Sequence, residues 1–461
     1  MGFFKSFFKA LTNITTIVAA IAVVVIAGPI AGMGYLASIA VYAAASAALS
    51  ALSPKPDMPN MGGYGDYVSE ASSRTQMIKQ PAQPRRVAYG KVRVSGVLSF
   101  VETTNSDSEL HLIISLVTHE INSFVSFRID EDTVTMTGHK VSAPARFMDG
   151  STNLVEINIH NGADDQTADT LLTQRIKAWT TDHRLRGIAY LYCRLNYNAE
   201  AFPQGLPNIS AVIEGKKVFD PRDSSTAYSN NAALCIRDFL TDTRYGLACS
   251  ADEIDDTSFI AAANTCDENV TLADGTTQKR YTLDGTFQTN SAPKKIIENM
   301  LTSCGGILTY TNGKFRLLVA EYRTPAITLT QDDFHGPIQL AATQSQMENY
   351  NSVKGVYSPE SNGFIPTDYP FITSSTFVSE DNGETRYLDY DLPYTTNSPR
   401  AQRLAKIVLY RNRQQVVLQC QLSMKGFNLA IGDTCYVTLP RYGFSSKVFE
   451  VAEWNLSLIH I

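Results

Sequence analysis

A chain of 461 residues, 44% hydrophobic and 18% charged, is long enough for two to four globular domains with full cores. Its formal net charge of −6 lacks the basic excess that tight phosphate-backbone binding needs, which disfavours a sequence-reading nucleic-acid protein. The seven cysteines (Cys193, Cys235, Cys249, Cys266, Cys304, Cys420 and Cys435) form no C-x-x-C pair, and their odd number argues against a fully paired disulfide framework. Buried thiols made in a reducing cytoplasm are the expectation.

The chain opens with Phe3, Phe4, Phe7 and Phe8 at helical spacing beside Lys5 and Lys9, the pattern of a short interfacial helix. From Ala10 to Pro54 there is no Asp, Glu, Lys or Arg. Gly28-Pro29, Gly32 and Gly34 divide this run into two helix candidates, Leu11 to Ala27 and Tyr35 to Leu52. Each would be about 25 Å long at ~1.5 Å per residue, close to the roughly 30 Å of a hydrocarbon core. The residues expected to lie in a membrane or a packed apolar interior are Ile17, Val18, Ile21, Val24, Val25, Ile26, Tyr35, Ile39 and Val41. A cleaved signal peptide competes, but the apolar character continues far beyond Gly32. The Ala/Ser-rich second half suits helix packing better than lipid.

Residues 55–83, rich in Pro, Gly, Met and Ser, read as a linker. From Val87 to Ile159 the apolar residues recur at alternate positions (Val92, Val94; Leu110, Leu112, Ile114, Leu116; Phe127, Ile129), which predicts a barrel or sandwich. Ala168 to Trp179 is predicted as a helix and Gly187 to Leu195 as a strand. Asn208 to Ile213 alternates and ends in a Gly-Lys-Lys turn, after which Val218-Phe219-Asp220 is stopped by Pro221. Asn230 or Asn231 can cap a helix through Leu240, closed near Gly246, which suits a left-handed C-terminal residue.

Asp252 to Cys266 reads as an acidic helix, and Val270 to Leu283 turns at Ala273-Asp274-Gly275. Asn290 or Ser291 can cap the following helix, with Pro293 in its first turn and Gly305-Gly306 at its end. Ile307 to Leu318 should fold back on itself at Asn312-Gly313, both at positive φ. Ala401 to Tyr410 is a short amphipathic helix, and Val416 to Met424, Cys435 to Leu439 and Ser446 to Val451 are closing strands. The apolar end, Leu456 to Ile461, has no turn or cap and reads as a truncation.

No H-E-x-x-H, G-x-S-x-G, phosphate-binding or dinucleotide motif occurs. Asp130-Glu131-Asp132 and Asp252 to Asp256 lack the spacing of a calcium loop and read as solvated charge, and Asn161 to Asp165 reads equally as a calcium-like loop or a polar connection. No catalytic, metal or cofactor site is expected.

Four ordered blocks carry a further reading. Pro84 to Gly96 contributes Arg85, Arg86, Tyr89 and Gly90; Leu206 to Leu247 contributes Pro207, Asn208, Gly215, Asp220, Pro221, Tyr245 and Gly246. Tyr281 to Arg316 contributes Gly285, and Gln402 to Phe449 contributes Gly432, Asp433 and Pro440. Together they resemble the tip attachment, or host-specificity, protein J family of long-tailed phages. The resemblance implies a mainly β fold with inserted helices (α+β), a tail hub built of barrel or tube-like domains and a homotrimer at the virion tail tip. It implies a structural role without enzymatic activity: capping the tail tube, connecting it to the host-binding tip and letting DNA pass without specific binding.

Implied partners are distal tail and tape-measure proteins, a host receptor reached through further C-terminal domains, and host membrane contact. Residues 10–54 would then be an apolar segment held inside the tail. The expected units are 1–54, 55–83, 84–200, 201–330 and a truncated 331–461. Two alternatives stay open: a membrane-anchored bacterial envelope protein with a β-rich domain, and a peptidoglycan hydrolase whose paired acids meet only in space.

Overall fold

The computed structural model describes residues 23–27, 74–79, 83–325, 327–342 and 349–455. Alternating apolar residues first build an antiparallel sheet of nine strands. In spatial order they are Lys91–Val94, Ile209–Glu214, Ser123–Ile129, Asp132–Thr137, Lys140–Ala143, Val155–His160, Ala189–Asn196, Glu109–Val117 and Val97–Thr104. Only Ser95 and Gly96 separate the two edge strands in sequence, so the sheet has to curl until its edges face each other. Leu112, Ile114, Ile157, Leu191, Cys193, Ala211 and Ile213 fill its concave side with the two-residue period of a pleated strand.

Part of the expected linker is a built element. Arg74 to Lys79 stitches the seam of this barrel: Ile78 N–H donates to Gly96 O and Leu98 N–H to Ile78 O, each at 2.9 Å. Asn208 holds the other side, its Oδ1 accepting from Met77 N at 2.8 Å and its Nδ2 donating to Thr75 O at 2.9 Å.

On the convex side, Ile113, Tyr190 and Tyr192 are covered by Leu172, Ile176 and Trp179. The helix there spans only Thr170–Arg175, shorter than the predicted 168–179. Asp169 caps it through Leu172 N, and Ile176 turns extended, letting Ile176 and Trp179 reach the sheet; packing overrides propensity.

The second core gathers the helices Ala232–Thr241, Asp256–Asp267, Pro293–Thr302 and Ser398–Asn412 around the strand pair Arg86–Tyr89 and Gly285–Gln288 and the hairpin Ile307–Thr311, Lys314–Leu318. Asn231 is the first helix's cap, accepting from Ala233 and Leu234 N–H. The Pro293 helix starts from Ala292 without a side-chain cap, not from Asn290 or Ser291, because proline at the first position already lacks one of the N–H groups a cap would satisfy. Val353, Tyr357, Leu392, Tyr394 and Leu404 also pack here, so the expected unit 331–461 is divided between two cores.

The third core lies under a six-stranded sheet, in order Ile327–Leu329, Thr434–Leu439, Phe444–Glu453, Val23–Ala27, Val417–Leu422 and Phe334–Ala341. Val23–Ala27 corrects the expected helix Leu11 to Ala27: a Val-Val-Val-Ile run is stiff at χ1 and favours an extended backbone, and two strand edges are there to receive it. Of the residues expected in an apolar helical segment, Val24, Val25 and Ile26 therefore lie in a strand, while Ile17, Val18, Ile21, Tyr35, Ile39 and Val41 lie outside the described residues. Among the described residues no helix is long and apolar enough to cross a membrane.

Candidate functional site

The sequence blocks meet where the barrel joins the central core. The stretch Arg86 to Val94 serves two sheets in succession: Arg86–Tyr89 pairs with Gly285–Gln288 in the central core, and Lys91–Val94 pairs with Ile209–Glu214 in the barrel. Gly90, at φ +64, makes the change of direction; a Cβ there would stand 2.3 Å from Leu283 O and 2.4 Å from Asp284 Oδ1. The chain leaving Ile209–Glu214 then runs back along the same stretch. Gly215 N donates to Gly90 O at 2.8 Å and Lys216 N to Ala88 O at 2.9 Å, an approach that leaves only 2.3 Å between a Cβ on Gly215 and Ala88 O. Gly285 faces the Tyr394 ring, 2.5 Å from where its Cβ would be.

Two carboxylates hold this crossing, Asp284 buried and Asp238 half-buried. Asp284 Oδ1 accepts from Lys91 N at 2.9 Å and Asn230 Nδ2 at 3.1 Å, and its Oδ2 accepts from Thr282 Oγ1 at 2.9 Å. Asp238 Oδ2 accepts from Tyr89 Oη at 2.5 Å and Lys216 Nζ at 2.6 Å, and Lys216 also pairs with Asp242. Burial, reinforced by the Asp238 charge, pushes the Tyr89 phenol well above its usual range. Burial raises Asp238 as well, more than Lys216 lowers it. Burial acts to lower Lys216, but the carboxylates of Asp238 and Asp242 outweigh it and raise it.

His119 completes the crossing from the barrel side. Its Nε2 is 2.9 Å from Ala88 N and its Nδ1 2.8 Å from Glu120 O. A backbone N–H can only donate, so Nε2 carries the lone pair and Nδ1 the proton. Burial pushes this imidazole down to about 4. At the rim, Arg85 donates to Tyr245 Oη at 3.1 Å, and buried Arg86 donates to Ser95 O at 3.0 Å.

The remaining motif residues lie elsewhere. Gly432, at φ +84, comes so close to Leu318 that a Cβ would meet its Cδ1 at 2.1 Å, and Arg316 Nη2 donates to Asp433 Oδ1 at 3.0 Å. These contacts seat the closing sheet on the Asn312-Gly313 hairpin. Asp220 binds Arg222, which reaches Asp267 at 2.8 Å and ties an outer hairpin to the helix Asp256–Asp267, with Pro221 ending the strand. Pro207 precedes the Asn208 seam, and Pro440 opens a turn that ends at Gly443. Gly246 is not left-handed as expected; Ala248 is, at φ +54. Gly246 is needed for space, since a Cβ would stand 2.0 Å from Phe239 O.

Sequence reasoning did not single out His119, Lys216, Asp238 or Asp284 as site residues. Asp284 sits beside motif Gly285 and was within reach, whereas the partners of His119 and Asp238 are set only by the fold. With each carboxylate engaged by lysine, tyrosine or backbone N–H, the arrangement is suited to a rigid joint. Among the described residues no group of three or more His, Cys, Asp or Glu could hold a metal ion. Six cysteines are buried and Cys249 is partly exposed.

No family model matches the chain. It is 23% identical over 435 residues to the baseplate hub protein pb3 of Escherichia phage T5, covering 80% of this chain and 45% of that protein. It is 25% identical over 186 residues to the tip attachment protein J of Escherichia phage SECphi27, covering 36% of this chain and 16% of that protein. The chain thus spans less than half the length of these curated relatives. Its fold is like that of a chain from the virion of a native gene transfer agent particle, with a TM-score of 0.59 at 12% identity, covering 90% of this chain and 96% of that one. The chain is thus mainly β, similar in sequence to a phage baseplate hub protein and a phage tip attachment protein, and similar in fold to a chain of a phage-like virion.

Proposed function

We propose that the chain is a structural, non-catalytic component of a phage tail tip, forming with two further copies the central hub that closes the tail tube, connects it to the host-binding tip and lets DNA pass at infection. The observation that carries this reading is the alignment with a baseplate hub protein over 80% of the chain. The interlocked joint adds a physical reason. A hub has to transmit force between a ring and a tip without yielding, and glycine-permitted backbone crossings held by the Asp284 and Asp238 carboxylates suit adjoining cores to resist movement against each other. A closed ring of three copies uses one interface repeated by rotation. Its neighbours would be distal tail and tape-measure proteins, with a host receptor reached through further domains of the whole protein.

Light scattering on the purified chain tests the assembly. A mass of three chains supports the hub, and a strictly monomeric species at high concentration counts against it.

A further inference from the structure

We propose that the strand Val23–Ala27 of one copy completes the closing sheet of a second copy of this chain, so that the hub ring is sewn together by exchanged strands. The proposal rests on the hub reading, because it needs copies held side by side. Its starting point is the strand order. Val23–Ala27 stands between Val417–Leu422 and Phe444–Glu453 and pairs antiparallel with both. Take it away and the sheet falls into two pieces, Ile327–Leu329 with Thr434–Leu439 and Phe444–Glu453, and Val417–Leu422 with Phe334–Ala341. The closing sheet is therefore built around a slot one strand wide, with unpaired backbone N–H and C=O groups on both sides for a strand to satisfy. Strand addition into such a slot gains main-chain hydrogen bonds on two edges, twice what addition to a free edge gains.

The connection explains why the occupant can come from a neighbour. After Ala27 the next described residue is Arg74, which belongs to the seam of the barrel, and the central core is joined to the barrel on one side and to the closing sheet on another. Residues 28–73 can span on the order of 150 Å when extended. A globule of this length is on the order of 60 Å across, so a neighbouring slot is within reach. Once copies are held in a ring, exchange costs no further translational freedom, which makes swapping of an identical element a low-cost route to a closed assembly. Between Ala10 and Pro54 no charged residue opposes removal of the strand from water.

A disulfide reports which chain fills the slot. Val23 is the Cα partner of Cys420, and antiparallel partners stand about 4.5–5.5 Å apart, within the range a disulfide spans. V23C is produced as the full chain, allowed to assemble, oxidised and run on a denaturing gel without reductant; V24C/E453C tests a second register pair beside half-buried Glu453. Native mass is recorded by light scattering on the same samples. The expected result is a trimeric sample in which at least one pair forms chain-to-chain disulfides, giving covalent dimers and trimers; in V23C these disappear with C420S. A trimer whose disulfides lie within single chains overturns strand exchange and leaves the hub standing. A trimer in which neither pair closes contradicts the strand insertion, and a monomer removes the hub reading itself.

Discussion

Two glycines in turns separate backbone strain from crowding. Gly313 and Gly90 both have positive φ, +79 and +64, but nothing lies within 4 Å of a Cβ on Gly313 while Gly90 faces backbone. Gly313→Val should therefore cost on the order of 1 kcal/mol from strain alone. Gly90→Ala should cost several-fold more, on the order of 3 kcal/mol or above, since backbone has to move as well. Urea midpoints of the two variants decide this, and equal losses would contradict the close crossing at Gly90. His119 gives a pH dependence. Its folded pKa, about 4, is below the unfolded value of about 6.5, so the unfolded chain binds the proton first. Its contribution is complete above about 6.5 and is lost as pH falls through about 4, amounting to about 3 kcal/mol. Glu450 has the opposite sign: burial raises it to about 7, so its contribution is complete below about 4.5 and is lost as pH rises through 7. The stability difference between wild type and H119Q should grow with pH between 4 and 6.5, and that between wild type and E450Q should shrink between 4.5 and 7; parallel curves would contradict both assignments.

Elements were legible where a short-range device fixes them. Asn312 and Gly313 take the positive φ values expected of a two-residue turn, 52° and 79°, because a tight hairpin demands them locally. Asn231 caps its helix, and its Nδ2 also donates to Ala263 O at 2.9 Å, joining two helices. Asn231→Ala should cost about 1–2 kcal/mol, and Asn231→Asp, which keeps the cap, should recover part of it. Equal stability of the alanine variant and wild type in thermal melts would refute the cap. Where the outcome depends on distant partners, sequence gave the wrong answer. The helix predicted over 168–179 stops at Arg175 because the convex face of the barrel captures Ile176 and Trp179. Val23–Ala27 is drawn into a sheet whose neighbouring strands begin only at Val417 and Phe444. The joint was half visible: glycines and an aspartate that crossing strands require stand in recognisable motifs, but nothing near His119 or Lys216 in sequence announces Ala88 or Asp238.

At the scale of the whole molecule, the barrel and the closing sheet each adjoin the central core, and the closest backbone approaches lie at those two joints: Gly90, Gly215 and Asp284 at one, Gly432, Leu318 and Arg316–Asp433 at the other. Asp284→Ala removes the acceptor of Lys91 N–H and Asn230 at once, both part-buried, and of the buried Thr282 hydroxyl, a loss on the order of 2–3 kcal/mol. Hydrogen exchange should then rise both in Lys91–Val94 and in Gly285–Gln288, since the residue serves both sides; a rise confined to one side would mean that the cores are not coupled through it. The central claim concerns where such a body works. Cryo-electron microscopy of the intact phage tail measures this most directly: the account predicts three copies of this fold in a ring at the distal end of the tube, and a tail tip without this fold, or with it present as a single copy off the axis, would contradict it.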